Sequence, residues 1–97
     1  MAKDLRTHLY TAFASLKNED EVKRFLYDLL TPEELAEFSK RFAIATKLWK
    51  KEGSYIAIAQ DIKTSTTTVT RVARFLWKES SKGYQIVLKR LFGEALS

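Results

Sequence analysis

The sequence predicts an all-α fold of about six helices around a central helix-turn-helix. Three observations carry that reading. Apolar residues recur at helical spacing along nearly the whole chain. Several stripes open on a capping signature. No segment shows sustained period-two alternation. With 97 residues the chain suits a single domain, residues 1–97, with a small core.

Leu5, Leu9, Ala12, Phe13 and Leu16 form the first stripe. Asn18, with Glu21 three residues on, then resembles a capping box. Val22, Phe25, Leu26, Leu29 and Leu30 follow as the second stripe. Thr31-Pro32-Glu33-Glu34 opens a third helix: Thr31 caps, Pro32 suits the first helical position, and Glu34 reaches back. That helix carries Leu35, Phe38, Phe42, Ala45, Leu48 and Trp49. Lys50 and Lys51 suit its C-terminus, and Gly53 is expected as its left-handed stop. Ser54 caps a short fourth helix bearing Ile58, Ala59 and Ile62. After Ser80-Ser81-Lys82-Gly83 breaks the pattern, Tyr84, Val87, Leu88, Leu91 and Phe92 form the last stripe.

The segment TSTTTVTRVARF, residues 64–75, is the least conventional. Its threonines and valines are β-branched and favour strands. A strand, however, would put Val69 and Ala73 on one face and Val72 on the other. A helix unites Val69, Val72, Ala73 and Leu76 in one stripe. Thr67, Arg71, Arg74 and Lys78 then fall on the opposite side, with Thr70 at its edge. Thr64 or Ser65 caps such a helix. Residues of about 54–78 therefore read as a helix-turn-helix unit, with Ala59 as the small residue that lets the second helix cross the first. The turn between them needs one residue at positive φ, and Lys63 stands there in place of glycine.

Charge is uneven. Residues 1–37 hold five Lys/Arg and eight Asp/Glu, a net of −3, and residues 38–97 a net of +8, within an overall +5. A basic helix-turn-helix points to duplex DNA. Threonine hydroxyls at a helix start donate or accept at base edges, and their methyl groups meet a thymine methyl. The candidate DNA-binding residues are Thr66, Thr67, Thr68, Thr70, Arg71, Arg74, Lys63 and Lys78. Capping, packing or a solvated face is the competing account of each, and at least one threonine is expected to cap. Lys47, Lys50, Lys51 and Lys82 are further possible phosphate contacts.

Other chemistry finds little support. There is no cysteine and one histidine, so a zinc site is not expected. His8 suits capping or packing. The carboxylates Glu19–Glu21 and Glu33–Glu34 sit at helix starts, where the macrodipole accounts for them. No glycine-rich phosphate loop is present. No enzyme activity, metal or cofactor is expected. The N-terminus lacks a signal-peptide pattern and no run reaches the ~18 apolar residues of a membrane span. The expected place is the cytoplasm, with no membrane partner.

The stretch LTPEELAEFSKRFAIATKLWKKEGS, followed by TTTVTR, resembles the Trp-repressor superfamily over residues of about 30–77. The flanking LYTAFASLKNEDEVKRFLYDLLT and KGYQIVLKRLF are similar to its YerC/YecD-like branch. The resemblance implies six helices and an intertwined homodimer. The large apolar groups Phe13, Phe25, Phe38, Phe42, Leu88 and Phe92, on short helices that one chain cannot easily cover, agree with it. It also implies a repressor-like DNA-binding transcriptional regulator.

In the repressors a tryptophan pocket uses positions matched here by Thr31, Arg41 and Arg71. It also needs a glycine and a serine where Val72 and Phe75 stand, and both are expected to fill the indole space. No tryptophan response is therefore expected, and any small-molecule effector is left open. First-helix positions that contact DNA in the repressors are matched by the apolar Ile56 and Ala59. That departure keeps two alternatives in view: a protein-interaction module that retains the fold, and a tryptophan-responsive repressor. Trp49, Trp77, Tyr55 and Tyr84 are expected in the core or a dimer interface.

Overall fold

The computed structural model describes residues 4–96. Six helices are present and no strand occurs among the described residues: α1 (Leu5–Ala14), α2 (Glu19–Leu29), α3 (Pro32–Trp49), α4 (Tyr55–Ile62), α5 (Thr66–Trp77) and α6 (Gly83–Phe92). No helix is long and apolar enough to cross a membrane. The chain divides into two compact units, Met1–Leu35 and Ala36–Ser97.

The first unit is built on local rules. The Asp4 side chain caps α1 by accepting from the Arg6 N–H. The Asn18 side chain caps α2 by accepting from the Glu21 N–H at 2.9 Å. The Glu21 carboxylate accepts from the Lys17 N–H, one residue outside the expected box. At Thr31 the box is reciprocal: Thr31 Oγ1 accepts from the Glu34 N–H at 3.1 Å, and the Thr31 N–H donates to Glu34 Oε1 at 2.9 Å. Phe13 and Phe25 meet edge to face at 5.3 Å. No residue of α1 or α2 is buried, and Leu5 and Tyr27 are 85% and 72% exposed. His8 is exposed on α1 and takes neither of its expected roles.

The second unit contains the core. Ile44, Ala45, Leu48 and Trp49 from α3, Ile58 and Ala59 from α4, Val69, Val72, Ala73 and Leu76 from α5, and Leu88 from α6 form one buried cluster. Fully burying a Val, Leu or Ile stabilises by ~1.5–3 kcal/mol. Of the groups expected to need a partner chain, Leu88 is completely buried within this one, which corrects that expectation. Phe13, Phe38 and Phe92 remain exposed, and Phe25 and Phe42 are half-buried. Trp49 is buried, stacks on Trp77 at 5.6 Å with planes 8° apart, and donates its Nε1–H to the Gly93 carbonyl at 2.9 Å.

Three non-glycine residues take positive φ, and all are lysines: Lys51 (54°), Lys63 (63°) and Lys82 (61°). Lys63 is the helix-turn-helix position expected to be strained. At the end of α3 the left-handed turn already begins at Lys51, ahead of Gly53 (φ 126°). Each such lysine costs about 1 kcal/mol relative to a permissive residue.

Candidate functional site

The helix-turn-helix lies wholly in the second unit. The Ser54 side chain caps α4 by accepting from the Ala57 N–H at 3.1 Å. Two ties hold the motif in place. Lys47 of α3 bridges Asp61 of α4 at 2.7 Å and Glu52 at 3.7 Å. Asp61, then Glu52, raises the Lys47 pKa above its ordinary value, against a small opposing effect of burial. Lys40 of α3 donates to the carbonyl of the strained Lys63 at 3.4 Å.

Ser65 is the cap of α5, its side chain accepting from the Thr68 N–H at 3.1 Å. The cap offsets the poor helix propensity of the threonines. The apolar stripe of α5 is buried as expected, with Val69 and Leu76 at zero exposure. The opposite side carries a groove of about 400 Å³ lined by Thr66, Thr67, Thr70, Arg71 and Arg74.

Hydrogen bonding divides the candidate residues on this helix. Thr68 is half-buried and its hydroxyl pairs with Ser65 Oγ at 3.0 Å. The Thr70 hydroxyl donates to the Thr66 carbonyl at 2.9 Å. Arg74 pairs with Glu79 at 3.3 Å and lies over the Phe75 ring. The side chains of Thr66, Thr67 and Arg71 are exposed and have no hydrogen-bond or ion-pair partner among the described residues. Lys63 and Lys78, the C-cap residues of α4 and α5, are likewise exposed and unpaired. On α4, Ile56 is 63% exposed but Ala59 is buried at 4%, so Ala59 belongs to the core and cannot be a surface contact. Gln60, which sequence reasoning passed over, is the exposed polar group of that helix. Its polar neighbours gave no periodic signal that could have marked it.

Behind α5 lies a cleft of about 690 Å³, where Arg41 of α3 and Arg71 of α5 share a wall with Glu37, Phe42, Tyr84 and Val87. Sequence reasoning missed Glu37, and it assigned Tyr84 only to packing. Burial raises the Tyr84 phenol above its ordinary pKa, while Arg41 pulls the other way. Val72 and Phe75 line the cleft where the resemblance puts them. They narrow it, yet an open volume remains, so the expectation that they fill the space was too strong. Thr31 is engaged in its capping box in the first unit.

The profile of the family Trp repressor protein matches residues 5–92. The chain belongs to the Trp repressor family. It is 31% identical over 83 residues to YerC of Bacillus subtilis (strain 168), an uncharacterized protein, covering 86% of this chain and 78% of that one. A crystal structure from Staphylococcus aureus, described as a candidate Trp repressor, superposes with a TM-score of 0.81 at 30% identity, covering 93% of this chain and 88% of that one. A TrpR-like protein of Eubacterium eligens ATCC 27750 gives 0.78 at 36% identity, covering 88% and 86%. The six-helix Trp-repressor-like architecture is thus shared with solved relatives.

Proposed function

We propose that this Trp-repressor family member is a dimeric transcriptional regulator that binds duplex DNA through α5. The supporting observation is the division on that helix. Thr66, Thr67 and Arg71 stand free in one groove, while the valine stripe beneath them is sealed in the core. The N-terminal residues of a recognition helix are those that meet base edges in the major groove. Thr66 and Thr67 are in its first turn, and an arginine in the second matches a guanine edge. Thr68 and Thr70, whose hydroxyls are already used, serve the helix itself. Arg74 would exchange Glu79 for phosphate.

Sequences selected from a random duplex pool, followed by anisotropy titration, test the reading. Arg71→Ala should weaken binding by about 1–3 kcal/mol, the worth of a bidentate base contact. Thr67→Val should alter the preferred sequence. No enrichment from the pool at low salt would refute DNA binding. The exposed Ile56 favours a second reading, a protein-interaction surface. Recovery of one stoichiometric protein partner without DNA retention would select it.

We further propose that tryptophan does not control binding. The reason is one of shape and polarity: Val72 and Phe75 place apolar bulk on the cleft wall, where the repressors need a glycine and a serine. Micromolar tryptophan affinity by calorimetry would reverse this.

A further inference from the structure

Eight lysines lie in residues 36–97. Four have side-chain partners: Lys40 with the Lys63 carbonyl, Lys47 with Asp61 and Glu52, Lys50 with the Phe92 ring, and Lys89 with Glu94. The other four, Lys51, Lys63, Lys78 and Lys82, have none among the described residues. All three left-handed non-glycine residues belong to this unpartnered set, and none to the partnered one. Lysine has no intrinsic preference for that conformation, in which glycine and asparagine are the usual choices.

Local electrostatics does not account for the pattern. Lys51 and Lys63 follow the ends of α3 and α4, where a cation is favoured by the helix dipole. Lys82 is the N-cap of α6, where a cation is disfavoured, and it makes no side-chain cap bond. One substitution type thus recurs in opposite fields. Backbone strain that persists without a local compensation points to use of the side chain.

We propose that Lys51, Lys63 and Lys82 are dedicated phosphate anchors that seat the helix-turn-helix on duplex DNA; this rests on the DNA-binding reading above. Their places suit the task. In this motif the first helix crosses the sugar-phosphate backbone, and Lys51 and Lys63 bracket α4. The recognition helix lies in a major groove about 12 Å wide. At 1.5 Å per residue, α5 spans roughly 18 Å. Residues just beyond its two ends, Lys63 and Lys82, therefore reach the phosphate walls and not the bases. An unpaired ammonium is a point charge well suited to phosphate.

The test uses the full chain with Lys51→Gly, Lys63→Gly and Lys82→Gly, singly and together. Thermal melting is compared with binding to a pool-selected duplex between 50 and 200 mM salt. The Tm should rise most for Lys82→Gly, because both strain and dipole repulsion are relieved, and should not fall for the other two. The log–log salt slope should drop by about 0.9 for each lysine removed. Lys→Arg variants should keep the slope. A triple glycine variant with an unchanged slope overturns the anchors while leaving DNA binding intact. So does weaker binding accompanied by a lower Tm, which would mark the lysines as structural. Failure of the unsubstituted protein to bind any duplex overturns both this inference and the reading on which it rests.

Discussion

The two units obey different logics. Residues 1–35 carry five basic and seven acidic residues, a net of −2, while residues 36–97 carry twelve and five, a net of +7. The first unit has well-formed caps, yet no residue of its two helices is buried. The second encloses every core residue of the chain. Isolated helices of ten or eleven residues are marginal in water. Capping defines where such helices begin and leaves them without a tertiary partner. A second copy of the chain is the partner that the proposed dimer would provide.

Core truncation exposes the contrast most strongly. Leu76→Ala, at a site with zero exposure, should cost about 2–5 kcal/mol in denaturant unfolding. If the first unit finds its partner in a second copy, stability must depend on concentration. Tenfold dilution should then weaken a dimer-linked transition by about 1.4 kcal/mol and lower its Tm by several degrees. A melting curve independent of concentration would remove the dimer. Caps should matter equally in both units because they act locally. Asn18→Ala and Ser65→Ala are each expected to cost about 1 kcal/mol, read as a loss of helical circular dichroism or of global stability. A silent Asn18→Ala would mean that the first unit's helices are held by something other than their own ends.

The smallest effect concerns the brace between α3 and α4. The Lys47 pKa is raised in the folded chain from its ordinary 10.5, chiefly by Asp61. The contribution of that pair is therefore complete below pH 10.5 and is lost as pH climbs through the higher folded-state value. Asp61→Asn should flatten this alkaline limb of the stability profile and leave the neutral region little changed, since exposed pairs contribute modestly.

Much of this architecture could be read from residue patterns, for identifiable reasons. Thr31-Pro32-Glu33-Glu34 and Ser65 are local signals, and local signals survive whatever the tertiary context. The α5 stripe was legible because Val69, Val72, Ala73 and Leu76 share a face only in a helix. What escaped depended on contacts distant in sequence. Leu88 looked like interface material because nothing in the chain's order reveals that α6 packs on α5. Ala59 was assigned both to packing and to a contact position, and only burial decides between them. The split between free Thr66 and Thr67 and occupied Thr68 and Thr70 follows from hydroxyl orientations, to which composition is blind. The cleft was anticipated through Arg41 and Arg71, but the space left beside Phe75 depends on how its ring is turned.

The stacked indoles have a practical consequence for watching this molecule unfold. Trp49 and Trp77 are the chain's two tryptophans, and both lie in the second unit, whereas the first has only Tyr10 and Tyr27 as phenolic chromophores. Emission under selective indole excitation therefore tracks dissolution of the α3–α6 assembly alone. Detachment or melting of α1 and α2 would be invisible to it and would have to be followed through tyrosine absorbance or the amide ultraviolet. Two such traces that fail to superimpose would reveal a stepwise loss of structure that either probe by itself would report as a single event.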